Sequence, residues 1–119
     1  MLGRDFEQLV EQALAELPLA YRRRLRNVVI VVEDEPPRPG LLGLYEGRPM
    51  TVRSFFTPVS MPDRITIYQG PHERAARTPN ELQNMVSETV WHEIGHYFGM
   101  NERQARSAER RRAAARRRL

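Results

Sequence analysis

The sequence has no cysteine. That excludes a disulfide framework and every thiolate metal site, so a transition metal here must be held by histidine and carboxylate. Lysine is missing too, and all 19 basic residues are arginine. Long apolar runs are absent. No stretch approaches the roughly 20 residues that cross a bilayer, and the N-terminus, Met1 to Glu7, lacks the apolar core of a signal peptide. The expected location is therefore cytoplasmic, with no membrane partner. The 119 residues suffice for one small domain.

Histidine is scarce as well, with three in the chain, yet two of them fall in one motif: His92-Glu93-Ile94-Gly95-His96. This is H-E-x-x-H, in which two imidazoles four residues apart share one face of a helix and can grip one tetrahedral zinc. Glu93 follows His92 directly. It is displaced around the helix, where it can serve a water as general base without ligating the metal. Gly99 lies three residues beyond His96, and Glu102 three beyond that, giving H-E-x-x-H-x-x-G-x-x-E. Glycine adopts the left-handed conformation that ends helices. A reversal at Gly99 can return Glu102 to the metal as a third ligand. Three protein ligands leave one coordination position open, the catalytic rather than the structural arrangement.

Charge divides the chain. Residues 1–102 hold 11 Arg against 14 acidic residues, whereas residues 103–119 hold 8 Arg and a single Glu. The division suggests a domain over 1–102 and a basic Arg-rich helix or tail over 103–119. No aromatic residue interleaves with the tail's arginines, which argues against base stacking there.

Phe6, Leu9, Val10, Ala13, Leu14 and Leu17 recur at helical spacing and predict an amphipathic first helix ended by Pro18. Leu19 to Arg26 predicts a short second helical piece. Val28 to Val32 is an unbroken β-branched run and predicts a buried strand. Glu33 to Gly40 is a proline-rich acidic loop. Leu41 to Tyr45 predicts a short strand with a turn at Glu46-Gly47, and residues 48–62 an irregular excursion. Arg64 to Tyr68 alternates and predicts a half-buried strand broken by Gly70-Pro71. Thr78, Pro79 and Glu81 form a capping box opening a helix over about 79–98, with Leu82, Met85, Val86, Val90 and Ile94 on its apolar face. The motif thus sits in a capped amphipathic helix.

Glu33-Asp34-Glu35-Pro36, Leu41 to Gly47, Pro62 to Tyr68 with Gly70-Pro71, and Val90 to Glu102 together resemble the small bacterial zincin-like metallopeptidase family, whose site motif ends in Asp or Glu. The resemblance covers most of residues 5–102. It implies an α+β, minimal zincin-like fold, a small mixed sheet packed on an N-terminal helix and an active-site helix. It also implies a Zn²⁺ ion held by His92, His96 and the acid at position 102, where the family commonly has Asp and this chain has Glu102. The methionine turn of larger relatives has no match, and Glu109, only thirteen residues past His96, is too close for the acid that other zincins place on a later helix.

The expected activity is zinc-dependent peptide hydrolysis with Glu93 as base, on a peptide or unfolded protein bound along an exposed strand edge, either Leu41 to Glu46 or Ile65 to Tyr68. Tyr68, Tyr97 and His72 are candidate oxyanion or substrate contacts. Two rival readings are a non-catalytic zinc-stabilised binding module, and binding of nucleic acid or an acidic partner through residues 103–119.

Overall fold

Apolar side chains at helical spacing organise the two long helices among the described residues. The structure is a computed structural model that describes residues 3–47, 62–99 and 110. In chain order the elements are α1 (Gly3–Ala15), α2 (Leu19–Arg22), β1 (Val28–Glu33), β2 (Gly43–Glu46), β3 (Asp63–Tyr68), α3 (Gln69–Ala75) and α4 (Pro79–Tyr97). Phe6, Val10 and Ala13 of α1 and Leu17 beyond it meet Leu82, Val86, Val90, Ile94 and Tyr97 of α4, and Ile65 and Ile67 of β3 close the core from below. The result is the expected α+β architecture, with two helices laid on one face of a small sheet.

The sheet is mixed, in the order β1-β3-β2. β3 runs parallel to β1 and antiparallel to β2. Two strand expectations are corrected by this topology. The β-branched run of β1 is not buried: it is an edge strand among the described residues, none of its residues is fully buried, and Val29 is exposed. α1 covers only one of its faces, through Val28, Ile30 and Val32. The alternating strand β3 is not half-buried but central. Ile65 and Ile67 face the helices, Thr66 and Tyr68 are buried on the opposite face, and Arg64 alone is exposed. Arg64 instead pairs with Glu33 of β1.

Asp63, 4% exposed, accepts a hydrogen bond from the Tyr45 hydroxyl at 2.9 Å. The strand ends where Gly70-Pro71 predicts, but a helix follows without a gap. Pro71 is the third residue of α3, a position whose N–H has no intrahelical acceptor, so proline is tolerated there. Residues 48–61 of the expected excursion lie outside the described residues. So does the expected C-terminal helix apart from Arg110, which is helical and exposed.

Candidate metal centre

α4 opens as its sequence dictates. Thr78 caps it, its side-chain oxygen accepting the Glu81 backbone N–H at 3.1 Å, with Pro79 at the first helical position. It closes at the predicted glycine. Phe98 is the C-cap and Gly99 has φ 79°, its N–H donating to the His96 carbonyl at 2.9 Å. The last two turns of this fixed rod carry His92, Glu93 and His96.

The two imidazoles are half-buried, and their Nε2 atoms lie 3.1 Å apart with the rings nearly perpendicular at 81°. Two nitrogens bound to one tetrahedral zinc at about 2.0–2.1 Å would sit about 3.3 Å apart. The pair therefore fits a shared metal. The same spacing also suits one ring donating an N–H to the other. Among the described residues no group of three His, Cys, Asp or Glu side chains gathers around one point. The third candidate ligand, Glu102, lies outside the described residues, as does Glu109.

Glu93, next to His92 in the chain, is buried. It is 6% exposed, and its aliphatic stem meets the backbone of β2 at Gly43. Its stem is thus set between the site helix and β2, while the imidazoles one residue before and three residues after it are half-buried.

The three further candidates are placed differently. Tyr97 is completely buried, and its hydroxyl donates to the Arg26 carbonyl at 2.7 Å while accepting the Arg26 N–H at 2.9 Å. It pins the segment between α2 and β1 to the end of α4. His72 is also completely buried. Burial pushes its pKa below the ordinary histidine value, against a smaller opposing effect of its bond to Tyr68. The neutral ring must donate from Nδ1 to the Tyr68 carbonyl at 2.6 Å, since a carbonyl only accepts. Nε2 is then left to accept from the Thr89 hydroxyl at 2.7 Å.

Tyr68 ends β3. Its hydroxyl makes no hydrogen bond to another described residue, and the ring borders an open cleft of about 370 Å³ with Glu33, Glu46, Leu44 and Arg64. Burial pushes its pKa up, and the Glu33, Glu46 and Glu93 carboxylates push the same way against Arg64. The phenol thus stays protonated and able to donate.

Gly43 carries no chemistry of its own and was not singled out by motif. The available signal was a glycine inside a strand pattern, which marks close approach of another chain segment.

No helix among the described residues is long and apolar enough to cross a membrane. No curated protein matches the chain. Residues 25–111 match the family described as zincin-like metallopeptidase, a span that covers most of the chain and includes the whole of α4. With its paired imidazoles on a capped helix beside a small mixed sheet, the chain belongs to the zincin-like metallopeptidase family.

Proposed function

We propose that this protein hydrolyses peptide bonds, with His92, His96 and Glu102 holding one Zn²⁺ ion and Glu93 acting as general base. The observation that carries the reading is the 3.1 Å convergence of the His92 and His96 Nε2 atoms on the helix that also holds Glu93. Membership of a metallopeptidase family points to zinc-dependent proteolysis and to peptide substrates. When bound, zinc supplies the acidification of water and the polarisation of the scissile carbonyl.

The chain's own residues do the rest. Both imidazoles must be neutral to ligate, so the site requires a pH above their protonation. Glu93 receives the proton of the attacking water and passes it to the departing amine. Its stem is packed against β2, which limits the rotamers it samples.

An extended peptide adds to the edge of β2. β3 has a strand on each side, so Ile65 to Tyr68 offers no edge. Among the described residues β2 is the edge strand that touches Glu93. Tyr68 is the one of the three additional candidates carried into this proposal, as a substrate contact, because its hydroxyl stays protonated and the residue lines the cleft beside β2. The hydroxyl of Tyr97 and both ring nitrogens of His72 are engaged within the fold.

A peptide library incubated with the zinc-loaded wild type and with Glu93→Ala tests this. The proposal expects cleavage by the wild type only, at equal zinc content. Equal cleavage by both proteins would remove Glu93 from the mechanism.

A further inference from the structure

β2 approaches α4 more closely than a side chain would allow. A methyl carbon on Gly43 would lie 2.8 Å from Thr89 Cγ2, 3.1 Å from Glu93 Cγ and 3.2 Å from the Thr66 carbonyl oxygen. Carbon atoms prefer about 3.5–4.0 Å. Gly43 is not among the glycines with positive φ, so space rather than backbone conformation demands glycine here.

The three neighbours are not equally free to move. The Thr66 oxygen is backbone in the central strand. Thr89 is β-branched, and its hydroxyl lies between His72 Nε2 at 2.7 Å and the Met85 carbonyl at 3.0 Å. Those two contacts fix its rotamer and so keep Cγ2 turned toward Gly43. Glu93 has an unbranched stem with further torsions beyond Cβ. It is the neighbour that yields.

We infer that Gly43 is a positioning residue for Glu93: the missing side chain lets the β2 backbone serve as the wall against which the carboxylate stem is set. The His72–Thr89 bond holds the other side of that wall. This rests on the reading of Glu93 as the base. The wall also places the strand proposed to receive substrate in contact with the residue proposed to take the proton.

Gly43→Ala, Thr89→Ser and the double variant test this in the full-length, zinc-loaded protein. Thr89→Ser keeps the hydroxyl for His72 and removes Cγ2, so the double variant loses the tightest clash and retains the one with Glu93. It therefore carries less strain than Gly43→Ala and keeps the test open should Gly43→Ala alone fold poorly. A misplacement of a reacting group by about 1 Å costs on the order of 100-fold in rate. The expected results are a fall in kcat of about 10- to 100-fold in Gly43→Ala and at least about 10-fold in the double variant, with KM and zinc stoichiometry little changed.

Crystal structures of the double variant and of Thr89→Ser supply a readout apart from activity: the Glu93 stem should be displaced from β2 in the double variant only. An unmoved Glu93, a kcat of the double variant equal to that of Thr89→Ser, or a loss of zinc in step with kcat would each overturn the inference. A wild type that binds zinc but cleaves nothing would defeat the functional reading, and the position of Glu93 in the crystals would still decide the role of Gly43.

Discussion

Tyr97→Phe separates a structural tyrosine from a catalytic one next to the same histidine. The substitution removes one oxygen and leaves the ring in place between Tyr45 and Phe98, at centroid distances of 6.4 and 5.1 Å. Two hydrogen bonds go with the oxygen, the one it donates to the Arg26 carbonyl at 2.7 Å and the one it accepts from the Arg26 N–H at 2.9 Å. Each is worth about 1 kcal/mol net, and more if the backbone group left behind cannot reach water. The expected loss is therefore about 2 kcal/mol. For a domain of this size each kcal/mol lowers the melting temperature by roughly 4–8 °C, so Tm should fall by about 10 °C. Urea denaturation should show a lower midpoint with an unchanged slope, since the surface exposed on unfolding is the same. Zinc content and kcat at 25 °C should stay close to wild type. The opposite pattern, an unchanged Tm with kcat lowered 100-fold or more, is that of a lost oxyanion donor. It would refute the assignment of the hydroxyl to Arg26.

Three more outcomes follow from the same geometry. His72 is neutral inside the fold and ordinary outside it, so the unfolded chain takes up the extra proton first. Its contribution is complete above about pH 6.5 and is lost as pH falls from there toward its lowered folded value. The wild type minus His72→Gln difference in unfolding free energy should shrink as pH falls from 7.5 to 5, and a difference that grows would reverse the sign. Thr78→Ala removes the cap on the Glu81 N–H and should cost about 1 kcal/mol by chemical denaturation, with zinc stoichiometry unchanged. Gly99→Ala places a Cβ at φ 79° and should cost about 1–2 kcal/mol; no loss would mean the chain leaves α4 another way.

The helices were legible because their signals are local. Thr78-Pro79-Asn80-Glu81 states where α4 begins, Gly99 states where it ends, and the apolar spacing from Phe6 to Leu17 needs no tertiary knowledge. The strands exchanged their expected roles because burial depends on neighbours. A β-branched run fits either an edge or a centre. Thr66 is buried in the centre of the sheet even though alternation marks its face as polar. The helix α3 was hidden by Gly70-Pro71, which reads as a break whether a loop or a helix start follows. At the site, the metal-binding pair is visible in the spacing of His92 and His96 alone. The burial of Glu93 and its close approach to Gly43 are long-range facts joining residues fifty apart. The same holds for Tyr97 and His72, whose polar atoms are engaged by Arg26 and Thr89 from distant or separate elements.

The central claim is that the His92–His96 pair belongs to a zinc site completed by Glu102, and metal content tests it most directly. Elemental mass spectrometry of the purified wild type, His92→Ala and Glu102→Ala should find about one zinc per chain in the wild type. The zinc should be lost in His92→Ala and lost or greatly weakened in Glu102→Ala. A wild type that holds no zinc even after zinc is added would contradict the account. Full zinc in Glu102→Ala would keep the histidine pair and remove the third ligand.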